Sequence, residues 1–187
     1  LFVRMDTAVQ WCMSAKEVET VVLDARRRFW NPVRMEKARR TGLSLKDIHI
    51  LASIVEEETN NAEDRKMVAG VYLNRLKKRM PLQACPTARY ATGDFTLNRV
   101  LKKHTQIDSP YNTYKYAGLP PGPIRIPSGA AIDAVLDFIS HKYLYFCAKP
   151  DFSGTHNYAT NYVEHSRNAR AYQKALNKRL REQRAKK

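Results

Sequence analysis

Most of the nine prolines of this chain fall in a single stretch, and that stretch limits what the chain can become. Pro81, Pro86, Pro110, Pro120, Pro121, Pro123 and Pro127 lie together with Gly93, Gly118 and Gly122. Proline lacks a backbone N–H and fixes φ, so neither a long helix nor a central strand can run through such a region. One short helix, Leu97–Lys103, is expected there. The remainder, above all SPYNTYKYAGLPPGPI at 109–124, is too aromatic for a flexible linker and reads as an ordered loop, the kind of segment that builds sites.

Helical patterns flank this loop. Ser14 with Glu17 forms a capping box for a helix ending near Trp30-Asn31-Pro32, and a short basic helix closes at Gly42. Ser44 caps a segment through Thr59. Asn61 starts a helix through Lys78 that carries Met67, Val68, Val71, Tyr72 and Leu76 on one face. Ser128 begins a helix to about Ile139. Tyr143–Lys149 is the clearest strand, Asp151–Gly154 a hairpin turn, and Thr155–Ala159 the returning strand. Asn161 and Glu164 cap a last long helix. The fold class is α+β, mostly helical, with a small antiparallel sheet and a long ordered Pro/Tyr-rich loop.

The chain of 187 residues is long enough for one substantial core. Its 43% hydrophobic and 27% charged residues suit a soluble globular protein, and no run approaches the roughly 18 apolar residues of a membrane span. With 33 Lys+Arg against 18 Asp+Glu, polyanions are the expected partners: nucleic acid, anionic lipid or an acidic wall polymer. Part of the excess sits on the last helix, where Arg167, Arg170, Lys174, Lys178, Arg179, Arg181, Arg184, Lys186 and Lys187 face the single acid Glu182. The basic residues are not interleaved with aromatics in an RNA-binding pattern, which argues against nucleic acid. Cys12, Cys85 and Cys147 form neither a disulfide framework nor a zinc spacing, and no metal or cofactor motif is present.

Glu58 is the most informative position. On a helical wheel of about 100° per residue with Leu51 at zero, Ile54, Val55 and Ile48 lie within about 60°. Glu58 lands inside that apolar stripe, about 20° from its centre, whereas Glu56 and Glu57 are expected to face solvent. Burial disfavours the carboxylate, and so does the negative end of the helix dipole. Both effects keep the proton on, as a general acid requires. From periodicity alone, a frayed helix end or a plain ion pair remains open.

Glu58-Thr59 after Ala52-Ser53-Ile54-Val55-Glu56-Glu57 resembles the IVEKET motif of the endolytic murein transglycosylases, the YceG-like family. The similarity continues through Val68–Leu76, Met80–Gln83, Pro86-Thr87, Ser109–Tyr114, Gly118–Ile124, Tyr143–Phe146 and Glu164-His165. It covers about residues 43–175. One departure is Cys85, where the family usually has Asp.

The resemblance implies a lytic transglycosylase of peptidoglycan glycan strands with Glu58 as its single acid/base and no cofactor. The oxocarbenium-like charge and N-acetyl groups of such a substrate need polar contacts, for which Gln83, Thr87, Asn112 and His156 are the candidates, with Tyr90, Tyr111 and Tyr114 as stacking or hydrogen-bonding walls for sugar rings. Tyr111 and Tyr114 could instead pack the proline loop, and His165 could be a capping or exposed residue. The resemblance also implies an upstream membrane helix, a LysM-like subdomain of which residues 1–13 are the remnant, a catalytic domain over 14–187 outside the membrane, and peptidoglycan synthases as neighbours. The competing readings are a hydrolytic muramidase with Asp94 or Asp108 activating water, and a wall-binding protein without catalysis.

Overall fold

The central element is α3, Leu45–Glu58, in which every residue from Ile48 to Glu56 is buried. A helix enclosed on all sides needs neighbours on all sides, and α4 (Ala62–Lys77) and α6 (Gly129–Leu136) pack directly against it and each other. Ile48, Leu51, Ile54, Val55, Val68, Tyr72, Ile132 and Val135 form the core where they meet. The computed structural model describes residues 11–97 and 99–185.

The start signals act as expected. Ser14 and Glu17 form a reciprocal capping box for α1, Ala15–Phe29. Asn31 caps α2, Pro32–Thr41, which stops at Gly42 with φ of 73°, a backbone state glycine adopts without steric cost. Ser44, Asn61 and Ser128 accept hydrogen bonds from the first turns of α3, α4 and α6. α7 spans Tyr162–Ala185, with Asn161 Oδ1 accepting from Glu164 N.

β1 (Tyr145–Ala148) and β2 (His156–Ala159) form the antiparallel sheet, with Tyr145 opposite Ala159 and Ala148 opposite His156. The pairing extends past both strand ends, because Leu144 N donates to Ala159 O and Lys149 N to Thr155 O. Tyr143 leaves the ladder because its N–H donates to His141 Nδ1. α7 lies against both strands. The α+β class therefore holds, as does a largely non-helical proline loop.

Two features of the middle differ from expectation. Cys85–Thr92 forms α5, with Pro86 in its first turn, where a missing N–H costs no intrahelical hydrogen bond. Leu97–Lys103 is not a helix among its described residues; a single 3-10 turn, His104–Gln106, follows it. His104 Nδ1 accepts from Leu101 N there and ties the turn back. Of the segment read as a subdomain remnant, residues 1–10 lie outside the described residues, and 11–13 belong to no helix or strand. No helix among the described residues is long and apolar enough to cross a membrane.

Candidate active site

Glu58 is the last residue of α3, and Thr59 ends the helix by turning extended, with φ of −156° and ψ of 148°. The Thr59 hydroxyl donates to Gly154 O at 3.1 Å and accepts from Asn61 N at 3.1 Å, so it fastens the helix end to the hairpin turn. Tyr72 Oη, from the fully buried face of α4, donates to Glu58 Oε1 at 2.5 Å. Burial pushes the Glu58 carboxyl above its ordinary range and Glu57 adds to this; the Tyr72 hydrogen bond and the field of His156 pull the other way without cancelling it. Glu58 thus holds its proton more tightly than a free glutamate.

Two concavities meet at Glu58 and Cys85, and together they make a groove that passes the acid on both sides. The first arm is aromatic, walled by Tyr114, Tyr145, Phe146 and Tyr162, with Arg75, His156 and His165 among them. The second is walled by Pro86, Leu97 and Val100, with Arg89 and Arg99. Glu57 and Glu58 are the only carboxylates lining either arm among the described residues.

Of the residues singled out in the sequence, Gln83, Tyr114 and His156 line the aromatic arm with Glu58. Gln83 is exposed in a left-handed backbone state, φ 50°. Tyr114 Oη lies 3.1 Å from Cys85 Sγ, and burial raises both hydroxyl and thiol. His156 is held by Asp64, with Nδ1 at 2.7 Å from Oδ2 and its backbone N–H on Oδ1. Burial alone would raise Asp64, but hydrogen bonds from His156 and Tyr158 outweigh it and hold the carboxylate below its ordinary range. Asp64 therefore orients the His156 ring.

The others fall elsewhere. Tyr90 lines an adjoining hollow with Arg89, Phe95 and Ile124. Tyr111 packs on Tyr90 at 4.7 Å between centroids and places its hydroxyl against Gly122, so it braces the proline loop.

Thr87 and Asn112 are corrections, for both are fully buried with satisfied side chains. Thr87 Oγ1 bonds Ala84 O and Thr113 Oγ1. Asn112 Nδ2 donates to Thr105 O and Ile107 O, and its Oδ1 accepts from Tyr114 N. Neither side chain reaches the groove; Asn112 shapes the loop that delivers Tyr114.

Glu56 and Glu57 do not face solvent. Glu56 accepts from Ser128 N at 3.0 Å and lies 3.6 Å from Arg125, and Glu57 pairs with both Arg89 and Arg125. This cluster binds α3 to α5, to the proline loop and to the start of α6. His165 is neither a cap nor an open surface residue, since it stacks on Tyr145 at 5.3 Å and lines the aromatic arm. Asp94 and Asp108 are exposed, bonded to Thr96 and to Lys115 and Tyr116, and line neither arm.

Tyr72 and Arg75 were not singled out as site residues. Arg75 is detectable by the same argument that found Glu58, because it falls on the helical face of Val68, Val71 and Tyr72.

The sequence profile of the YceG-like family matches residues 7–171. A *Bacillus subtilis* protein called endolytic murein transglycosylase is 46% identical over 111 residues, 59% of this chain and 31% of the relative. A *Streptococcus pneumoniae* protein of the same name is 42% identical over 130 residues, 67% of this chain and 23% of the relative. The chain thus spans less than a third of the length of these curated relatives. The crystal structure of a YceG-like protein from *Listeria monocytogenes* superposes with a TM-score of 0.72 at 33% identity, covering 87% of this chain and 52% of that one. The matched profile, the shared fold and the sequence kinship agree: this chain belongs to the YceG-like family.

Proposed function

We propose that this chain is a lytic transglycosylase that cuts the β-1,4 bond from N-acetylmuramic acid to N-acetylglucosamine inside peptidoglycan strands without consuming water. The observation that carries the reading is Glu58, a half-buried acid with a raised pKa at the junction of two groove arms. Glu58 donates its proton to the bridging oxygen as the C1–O bond breaks. The resulting carboxylate removes the proton of the muramic 6-hydroxyl, whose oxygen closes on C1 to leave a 1,6-anhydro end. The proton returns to Glu58, and the atoms balance with no second base.

A hydrolase needs a second carboxylate to activate water or attack C1. Glu57 is held by Arg89 and Arg125, and Asp64 by His156 and Tyr158, so neither is free for that task. The names of the curated relatives support the same chemistry. In this reading residues 14–187 form the catalytic domain and 1–13 end a LysM-like subdomain. An upstream helix anchors the protein at the inner membrane with the groove outside, beside peptidoglycan synthases.

The test is the product. Purified wall digested with this protein should yield fragments lighter by one water than hydrolytic fragments and resistant to borohydride reduction. Reducible ends would make it a muramidase instead.

A further inference from the structure

Arg75 is the one guanidinium in the groove that the fold buries without a counter-charge. Its residue is 6% exposed. Nε donates to Leu144 O at 2.6 Å, and Nη1 donates to Pro81 O at 3.0 Å and Leu82 O at 2.9 Å. Nη2 has no acceptor among the described residues, and Arg75 lines the aromatic arm. The ionisable side chains around it are the neutral tyrosines Tyr72, Tyr145 and Tyr114, and no carboxylate forms an ion pair with it among the described residues.

The other cations behave differently. Arg89 on the second arm is already paired with Glu57, and Arg99 is exposed, where water screens it. A buried, uncompensated cation is costly to keep unless something anionic completes it. Carbonyl oxygens solvate Arg75 at Nε and Nη1, leaving Nη2 unbonded on a residue that lines the arm.

The surroundings leave that edge free of competition. Burial and the field of Arg75 both lower His165, so the neighbouring imidazole stays neutral near pH 7. Tyr145 lies under the guanidinium at 5.1 Å and keeps its plane in place. Glu58 is the only carboxylate lining this arm among the described residues.

We propose that Arg75 Nη2 marks an anion subsite on the aromatic arm that receives a carboxylate borne by the muramic sugar. The carboxylate is either that of the 3-O-lactyl group, free in strands stripped of peptide, or one on the attached peptide stem. The inference rests on the reading of the groove as a glycan-strand site and goes beyond it, by making substrate charge a determinant of binding.

The test uses the Glu58→Gln protein, so that binding is measured without cleavage, and soluble strands of matched length. One pair carries peptide stems, with carboxylates free or converted to methylamides. The other pair is stripped of stems, with the lactyl carboxyl free or amidated. In calorimetry the charged member of one pair should bind about tenfold or more tightly than its neutral partner, the scale of a hydrogen bond to a charged group. The pair that shows the difference identifies the source.

Arg75→Gln, introduced in the same background and checked by thermal melting, should abolish the difference. If it does not fold, the comparison within each ligand pair in the Glu58→Gln protein, where Arg75 is intact, still tests the subsite. Equal binding within both pairs overturns the subsite, as does a charge preference that survives in folded Arg75→Gln. Either result leaves the lytic reading intact if the unmodified protein still yields anhydro ends, so the two failures are distinguishable.

Discussion

Tyr72 Oη and Glu58 Oε1 are joined across the turn between α3 and α4 by a 2.5 Å hydrogen bond, the only one of the Glu58 side chain among the described residues. The bond favours the carboxylate, which in the proposed reaction must exist after the leaving group has taken the proton. Tyr72→Phe should therefore lower kcat about fivefold with little change in KM, the scale of one net hydrogen bond. Because the bond also holds the Glu58 pKa down, the alkaline limb of the rate profile should move to higher pH in the variant. A pH series of kcat/KM on soluble strands checks both effects.

Glu58→Gln should reduce turnover by about a hundredfold or more while the fold persists, since the amide has no proton to give. Its stability carries a pH signature. Glu58 titrates near 4.5 when unfolded and higher when folded. Below about pH 4.5 both states hold the proton and the residue adds no pH dependence; as pH rises through the window above it, the unfolded chain ionises first and stability is lost. The stability of Glu58→Gln relative to the parent should therefore grow with pH from that point and level off above the folded value. Urea midpoints across the range measure it, and a difference independent of pH would contradict the raised pKa.

Glu56→Gln and Glu57→Gln should act on the frame and not on the chemistry. Removing either charge leaves Arg125 undercompensated beside a largely buried partner, at a cost of about 1–3 kcal/mol. Equilibrium unfolding should register this loss, while turnover on short strands stays within a few-fold of the parent. Inactivity comparable to that of Glu58→Gln would mean that the acid is misassigned.

Asn112→Ala strips three part-buried hydrogen bonds from the turn that carries Tyr114, leaving two carbonyls and one N–H without their partner. A loss of about 2–4 kcal/mol is expected, together with weaker strand binding as Tyr114 loses its position. Unchanged stability would show that the loop does not depend on this amide.

Gly70→Ala tests how closely α4 approaches the segment after α6. An added Cβ would stand 2.4 Å from Ile139 O and 2.7 Å from His141 Nε2, distances that force the backbone apart. A drop of about 1–3 kcal/mol in unfolding free energy is expected.

Residues whose role depends on local period were legible in the sequence. Ser14, Ser44, Asn61 and Ser128 announce their helices because a cap is a contact between residues three apart, whereas Asn31 reads only as a break. Glu58 stands out because it occupies an apolar stripe. α5 was hidden because Pro86 reads as a break unless the helix is known to begin beside it. Asn112 was misread because an amide in a polar loop looks equally suited to ligand and backbone, and only the positions of Thr105 O and Ile107 O decide. Glu56 and Glu57 were misread because the wheel sees one helix, whereas their partners Arg125, Ser128 and Arg89 arrive from distant sequence.

Placing the acid where the two arms meet has a consequence for turnover. A strand lying across both arms is a bivalent ligand, whose second half binds at high effective concentration once the first is seated. In the proposed reaction, cutting the strand over Glu58 would sever that tether and leave two monovalent halves, each free to depart alone. The avidity that would capture a long polymer would thus be abolished by the proposed reaction itself, and the shorter the fragments became, the less they would compete with intact strands.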